Sequence, residues 1–521
     1  EFGTAGMRGI LGAGTNRLNI YVIQKANVGF AKYIASLPEG KERGVAIGYD
    51  NRHMSYKFAI ESAKVLATYG IKSYIFESLR PTPELSFAVR YLKCAGGIMI
   101  TASHNPKEHN GYKVYDDTGC QLLPEAADQV VQYVNEVDDE LNIKVFSDEE
   151  AYPYMTWIGE EVDEAYYKEV MAIEVNPGMD KKDFKIVFSP QHGTSNIAVR
   201  TCLTRLGYDI VPVLAQCAPD PDFSNTKSPN PEVPASYELA IKKAKEVDAD
   251  VVVITDPDGD RLGVVAKHNG EYVLMSGNQS AAVYLEYILS QMKEKGTLPD
   301  NAVMYNTIVT SDLGELVARS YGVDVEKTLT GFKFIGDKIR KYEQTHEKTF
   351  VFGYEESYGC VIKDFVRDKD AVQAVLTAAE AGNFYKKQGK DLVDVLNELY
   401  AKHGTFKETQ IALSKAGAAG AARIKEIMDN LRKDAPQEIG GVKVVKVEDY
   451  GNSTCSDGTT IQLPKSNVLK YYLEDGSWIA ARPSGTEPKC KFYFSIKGSD
   501  ADDAASKTEV FHKAMMEIIG E

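Results

Sequence analysis

The stretch 101–113, Thr-Ala-Ser-His-Asn-Pro-Lys-Glu-His-Asn-Gly-Tyr-Lys, sets a hydroxyl beside an imidazole and ends on a lysine. It follows the apolar run Ile98-Met-Ile100, which reads as a buried strand, so Ser103 falls where a strand gives way to a loop. Ligand sites of open α/β sheets form at that edge. Asn105-Pro106 and Asn110-Gly111 are turn signals within the loop, and Lys113 closes it with a positive charge. A hydroxyl nucleophile needs an activator and a group that holds negative charge, and this loop offers both kinds. Alone, such a stretch reads equally well as a polar surface turn. Three further loops dense with charge and hydroxyls, at 256–261, 354–358 and 482–489, make decoration a poor account of it.

Asp256, Asp258 and Asp260 stand at i, i+2 and i+4 after the β-branched run 251–254, with Gly259 among them. Clustered carboxylates repel one another and favour a divalent cation. An EF-hand loop would need Gly at its sixth position and Glu at its twelfth, where this chain has Arg261 and Lys267. Three side-chain ligands leave positions open, which suits Mg²⁺ with a phosphate oxygen as a further ligand. In an extended loop Ser103 and His104 would face opposite ways, so a Ser-His-Asp triad is not expected, and G-x-S-x-G is absent. Gly3, Gly6 and Gly9 flank Arg8 in what reads as a loop, without a Walker lysine. Glu355 and Ser357, one residue apart beyond a strand, could present an acceptor and a donor to neighbouring sugar hydroxyls, with Glu356 turned away. Arg482, Ser484, Gly485, Thr486 and Lys489 gather a guanidinium, two hydroxyls, backbone N–H groups and an ammonium, the donors a phosphate needs.

Together with Gly3-Thr-Ala-Gly-Met-Arg-Gly9, these loops resemble the α-D-phosphohexomutase superfamily, nearest its bacterial phosphoglucomutase and phosphopentomutase-like branch. The likeness runs over nearly the whole chain in the family's order. It implies that Ser103 carries a phosphoryl group whose oxygen, with Asp256, Asp258 and Asp260, binds one Mg²⁺ per chain. It implies that Arg8, His104 and Lys113 surround the phosphoserine, with His104 either assisting proton transfer or ordering the loop. Arg261 would touch the phosphoryl oxygens, and Glu355 and Ser357 would bind the hexose 3- and 4-hydroxyls. Gly331 and Lys333, in Thr330-Gly-Phe-Lys-Phe334, would form a second sugar contact, and Arg482 to Lys489 would clamp the phosphate that is not reacting. Some mannose- and glucose-acting relatives carry a histidine near Lys333 and this chain does not, which moves it toward the glucose or pentose branches. The implied reaction interconverts glucose 1-phosphate and glucose 6-phosphate, with glucose 1,6-bisphosphate as intermediate and activator. Phosphopentomutase, phosphomannomutase and glucose 1,6-bisphosphate synthase are alternatives within the superfamily. A non-catalytic sugar-phosphate-binding protein and a serine phosphatase are alternatives outside it.

The elements that must position these loops alternate between strand and helix patterns. Helices are expected at 21–37, 56–69, 128–136, 197–206, 237–246, 279–293, 311–321, 334–342, 371–387 and 392–402. Strands are expected at 45–49, 73–76, 98–100, 185–188, 209–214, 251–254, 302–305 and 349–352. Such alternation argues βαβ units, with a central strand of each unit delivering a functional loop. After Gly404 the pattern changes to a strand at 408–413, a helix at 421–431, several strands between 442 and 496 and a last helix at 502–519. The expected fold is α/β: three similar α/β domains with mixed sheets (1–160, 161–268, 269–403) and a smaller C-terminal α+β lid (404–521) around a central cleft, hinged near Gly404. The Pro-rich segment 218–234 reads as a long loop with no assigned task.

With 521 residues, several domains are expected. Net charge is -15 with no basic tract, which argues against nucleic acid as a partner and requires a local basic pocket for an anionic substrate. The cysteines at 94, 120, 202, 217, 360, 455 and 490 contain no C-x-x-C and read as buried thiols of a reducing compartment. No apolar run suits a membrane span or a signal segment, so a cytoplasmic protein acting as monomer or weak homodimer on a small sugar phosphate is expected. Because a motif begins at Gly3, a further segment before Glu1 is expected in the natural chain.

Overall fold

The computed structural model describes residues 6–485 and 488–521. They divide into two compact units, one comprising 6–305, 321–324 and 331–395, the other 306–320, 325–330 and 396–521 without 486–487. Each is described by itself.

The first unit begins with strands β1 (Gly6–Ile10), β2 (Val45–Tyr49), β3 (Ser73–Phe76), β4 (Gly96–Ile100), β5 (His109–Tyr115) and β6 (Met155–Ile158). They form a mixed sheet of order β1-β5-β4-β2-β3-β6. β2, β3, β4 and β6 run parallel, whereas β5 is antiparallel to both β4 and β1. β2 and β4 are buried along their whole length, as strands covered on both faces must be. Adjacent glycines on β4 show why. A Cβ on Gly96 would meet Ile34 and Phe30 of the helix Ile20–Ser36, while one on Gly97 would meet Val89 and Leu85 of the helix Thr82–Tyr91. Neighbouring strand residues point to opposite faces, so the pair lets one helix approach closely on each side.

The second sheet holds β7 (Lys185–Ser189), β8 (Asp209–Pro212), β9 (Val251–Thr255), β10 (Leu262–His268) and β11 (Glu271–Met275) in the order β11-β10-β9-β7-β8. Its core joins Val187, Val252, Ile254 and Val265 to Tyr237, Ala240 and Ala244. The third holds β12 (Ala302–Thr307), β13 (Asp324–Thr328), β14 (Thr349–Tyr354) and β15 (Cys360–Val361) in the order β13-β12-β14-β15, and the division between the units passes through it. β4, β9 and β14 are interior strands of their sheets, and the loops of Ser103, the three aspartates and Glu355 follow them directly.

In the second unit, strands β16 (Thr405–Ser414), β17 (Glu438–Ile439), β18 (Val442–Asp449), β19 (Thr454–Cys455), β20 (Leu469–Leu473), β21 (Trp478–Pro483) and β22 (Lys489–Gly498) form one sheet. Its paired strands are antiparallel. Ile424, Met428 and Leu431 of the helix Gly417–Lys433 and Phe511 and Met515 of the helix Ala501–Ile519 join its core. In the stretch around residue 400 the units divide between Val395 and Leu396, so Gly404, at φ 108°, lies inside the second unit.

Several expectations change. Residues 109–115 are strand β5, so Lys113 stands on a strand and not at a loop end. Residues 6–10 are strand β1, so Arg8 is not on a glycine loop as expected from 3–9. Both strands exist because they pair with each other, a non-local contact invisible in either segment. The helices Thr82–Tyr91 and Glu160–Met171 went unforeseen, the first behind a Pro81-Thr-Pro83 that reads as a turn but sits at a helix start. All seven cysteines are free; six are buried, but Cys455 is half-buried. Among the described residues no helix is long and apolar enough to cross a membrane.

Candidate active site

Ser103 is nearly buried and adopts a left-handed backbone, φ 52°. For a non-glycine residue this costs roughly 1–2 kcal/mol, so its surroundings must hold it. Its N–H donates to Thr101 Oγ1 at 2.8 Å, and its Oγ donates to Asp256 Oδ2 at 3.0 Å. The turn also brings Oγ within 3.2 Å of His104 Nδ1. The expectation that Ser103 and His104 face opposite ways is therefore overturned, because it assumed extended backbone. Burial first, then Arg261 and Arg8, push the imidazole pKa down to about 2, so His104 is neutral here.

Asp256, Asp258 and Asp260 are buried, with ligand oxygens lying within 4.8 Å of one another. Thr82, the first residue of its helix, donates through Oγ1 to Asp258 Oδ2 at 2.7 Å and through its N–H to the Asp258 carbonyl at 2.8 Å. Lys113 Nζ lies 3.2 Å from Asp258 Oδ2 and 3.8 Å from Asp260 Oδ2. Burial would raise the Asp258 carboxyl, but Lys113 and the surrounding donors outweigh it and hold it well below the usual range. Asp256 goes the other way, pushed well up by burial and by the charges of Asp260 and Asp258. Asp258 Oδ1 and Asp260 Oδ1 are buried without a hydrogen-bond partner. Two buried carboxylate oxygens left open beside a third carboxylate and a hydroxyl fit a hard divalent cation.

Lys113 pairs with Gly6 across the β1–β5 ladder, and Arg8 stands two residues on, so both side chains share one face of the sheet. Arg8 Nη1 donates to Asn105 Oδ1 at 2.9 Å. Arg261 Nη1 lies 3.1 Å from Glu232 Oε1, while its Nε is buried with no hydrogen-bond partner, 4.0 Å from Asp260 Oδ1. Burial opposes its charge, yet Asp260, Glu355 and Glu232 together raise its pKa.

Sequence reasoning missed Lys369. Its Nζ lies 3.4 Å from Asp260 Oδ2 and 3.3 Å from Glu355 Oε1, so one ammonium ties the aspartate loop to the Glu355 loop. Burial lowers its pKa, but Asp260, Glu355 and Asp368 raise it further, keeping the lysine charged. A lysine between two aspartates, just before an apolar helix, was the available signal. Arg52 was missed as well, and nothing local in Asp50-Asn-Arg52 announces a role.

Ser357 is half-buried beside Glu355. Gly331, at φ 114°, precedes the helix Phe332–Thr345, and the Lys333 carbonyl there accepts the Cys120 thiol at 3.3 Å. In the second unit, β21 and β22 form a hairpin in which the Ser484 N–H donates to the Lys489 carbonyl at 2.7 Å. Arg482 Nη2 donates to Tyr493 OH at 3.0 Å, and Gly485 lies at the loop's exposed edge. Thr486 lies outside the described residues.

A serine hydroxyl against three buried aspartates, ringed by lysine and arginine and set at the strand ends of α/β sheets, defines the class: a metal-assisted phosphoryl-transfer protein. Four family profiles match the chain. Three are described as Phosphoglucomutase/phosphomannomutase, alpha/beta/alpha domain I (residues 1–141), II (164–270) and III (276–403), and the fourth as the C-terminal domain of the same proteins (421–513). A phosphoglucomutase of Staphylococcus epidermidis is 40% identical over 515 residues, covering 97% of this chain and 92% of its own length. One of Staphylococcus aureus is 39% identical over 513 residues, covering 97% and 91%. The chain belongs to the phosphoglucomutase/phosphomannomutase family. Two solved structures share the fold. A phosphoglucomutase/phosphomannomutase family protein of Burkholderia thailandensis has TM-score 0.73 and 19% identity, over 99% of this chain and 97% of that one. The open form of the Paramecium phosphoglucomutase parafusin has TM-score 0.71 and 20% identity, over 100% and 94%.

Proposed function

We propose that the protein is a phosphoglucomutase working through a phosphorylated Ser103. The observation that carries this reading is the 3.0 Å contact of Ser103 Oγ with Asp256, at the edge of a three-aspartate cluster with open oxygens. The name borne by the staphylococcal relatives supports the glucose sugar. Phosphoserine 103 gives its phosphoryl group to O6 of glucose 1-phosphate: the Ser Oγ–P bond breaks, the O6–P bond forms, and the O6 proton passes to Ser103 Oγ. The resulting glucose 1,6-bisphosphate turns over, its O1–P bond breaks, and Ser103 Oγ takes that phosphoryl group back while its proton passes to O1, releasing glucose 6-phosphate. Ser103, Asp256, Asp258 and Asp260 would hold one Mg²⁺, which draws charge from the phosphoryl group when bound. Lys113 and Arg8 hold negative charge at the phosphoryl oxygens, and neutral His104, 3.2 Å from Oγ, would orient the hydroxyl for proton transfer or order the loop.

Arg261 has a free Nε for a phosphoryl oxygen, and Glu355 and Ser357, with Gly331 and Lys333, would meet the sugar hydroxyls. Arg482, Ser484, Gly485, Thr486 and Lys489 would bind the distal phosphate. The four regions proposed from the sequence, divided at 160, 268 and 403, would each supply one of these parts. The reading extends to a cytoplasmic monomer or weak homodimer without nucleic-acid or membrane partners, and the net charge of -15 supports the lack of nucleic acid.

The test is an intact-mass spectrum before and after glucose 1,6-bisphosphate. A species about 80 Da heavier, absent in Ser103→Ala, is expected for a phosphoryl group on an activated hydroxyl. If no such species forms, Ser103 is not the carrier and a sugar-phosphate-binding protein replaces this reading. Relative kcat/KM on glucose 1-phosphate and ribose 1-phosphate then assigns the sugar.

A further inference from the structure

The segment 218–234 crosses the back of the Ser103 loop, and one arginine joins the two. Arg52 follows β2, is nearly buried, and donates to four backbone carbonyls of the serine loop. Its Nη2 reaches Ser103 O at 2.6 Å and Asn105 O at 2.7 Å, and its Nη1 reaches Pro106 O at 2.9 Å and His109 O at 3.2 Å. Asp50 Oδ2 stands 3.3 Å from its Nε, and Asp50 Oδ1 accepts from Ser55 Oγ at 2.7 Å, which fixes the guanidinium from behind. The open side of the guanidinium lies over the Phe223 ring, 5.2 Å from its centroid.

Phe223 is itself buried and held at φ 51° within a segment carrying Pro219, Pro221, Pro229, Pro231 and Pro234. Three neighbouring contacts seat the segment: Asn51 Nδ2 donates to Asp220 O at 2.9 Å, and Asp222 Oδ1 lies 3.0 Å from His53 Nε2 and 3.6 Å from Lys107 Nζ. Its far end carries Glu232, the partner of Arg261.

We infer that Arg52, clamped by the Phe223 segment, is a positioning residue that holds Ser103 in its left-handed conformation against the aspartates. The inference rests on Ser103 as phosphoryl carrier. Carbonyls that converge on one planar fork need a guanidinium; a lysine carries the same charge but cannot bond all four at once. A reacting atom displaced by about 1 Å loses rate on the order of a hundredfold, so slackness in this loop would appear at Ser103.

The test compares the complete protein with Arg52→Lys and Phe223→Leu by amide hydrogen exchange and by the rate at which glucose 1,6-bisphosphate phosphorylates it. Arg52→Lys is expected to speed exchange over residues 102–109 about tenfold and leave the rest of the chain protected. Phosphorylation should slow about a hundredfold, with KM for glucose 1-phosphate within about twofold. Phe223→Leu should move both readings the same way by a smaller factor, and it decides the matter if Arg52→Lys does not fold. The inference is overturned if exchange at 102–109 stays at the wild-type rate, or if protection falls equally everywhere. If wild-type protein takes up no phosphoryl group, the carrier reading fails, while the exchange comparison still decides whether Arg52 orders the loop.

Discussion

The three aspartates are costly to one another before they are useful. Asp256 and its two neighbours are buried within a few ångströms of one another, and at Asp258 the nearby Lys113 and the surrounding donors outweigh the burial. The raised pKa of Asp256 expresses its burial first and then that repulsion. A bound divalent ion would turn the same repulsion into affinity. Asp256→Asn should therefore raise the Tm of protein kept in chelator, because the unfolded chain no longer gains from ionising a carboxyl that the fold resists charging. It should also weaken Mg²⁺ binding, followed by calorimetry, at least about a hundredfold. An unchanged Mg²⁺ affinity would remove Asp256 from the ligand set.

At the scale of elements, the site depends on two N-terminal helix turns and one strand pair. Thr82 and Ala371 begin helices, and their N–H groups donate to the Asp258 and Gly259 carbonyls, which aims the aspartate turn. Thr82→Ala removes the hydroxyl bond to Asp258, and loss of such a supporting partner typically lowers metal affinity about 10–100-fold with the fold intact. Mg²⁺ titration of that variant gives the value. On the β1–β5 pair, a Cβ at Gly111 would fall 2.4 Å from the Thr101 carbonyl and 2.8 Å from that of Met7. Gly111→Ala should thus separate Arg8 from Lys113 and destabilise by a few kcal/mol, read from denaturant unfolding. These elements divide sharply in how far the sequence announced them. β4 and β9 were legible because an apolar run followed by charge is a local signal. β1 and β5 were not, since each is defined by its partner about a hundred residues away, and their polar and glycine content reads as loop. Ser103, Asp256, Asp258 and Asp260 were legible from spacing; Arg52 acts through contacts with a distant loop and leaves no local pattern, and Lys369 leaves only its place between two aspartates.

Over the whole molecule, each compact unit buries an ionisable group outside the candidate site residues, and the two set opposite slopes of stability with pH. In the first unit Glu380 lies buried beneath the segment before β7, where Oε1 accepts from the Val175 N–H at 2.8 Å and Oε2 has no hydrogen-bond partner. Burial pushes its pKa up to about 7 against the bonds from Val175 and Tyr287. The folded protein then binds this proton more tightly than the unfolded chain, so Glu380 contributes stability below about pH 4.5 that is lost as pH rises through about 7. In the second unit Lys470 donates to the Ile308 carbonyl at 2.9 Å and lies over Trp478, and burial pushes its pKa down to about 7. Here the unfolded chain holds the proton more tightly, so stability rises with pH from about 7 to 10. Glu380→Gln keeps an acceptor for Val175 but removes the charge. Its Tm relative to wild type should be near zero at pH 5 and rise by several degrees at pH 8, reflecting on the order of 3 kcal/mol of charge burial. Lys470→Met should show the opposite trend, its advantage largest at pH 7 and fading toward pH 10. Parallel curves for wild type and Glu380→Gln across pH 5 to 8 would mean that the Glu380 carboxylate is already solvated in the folded protein.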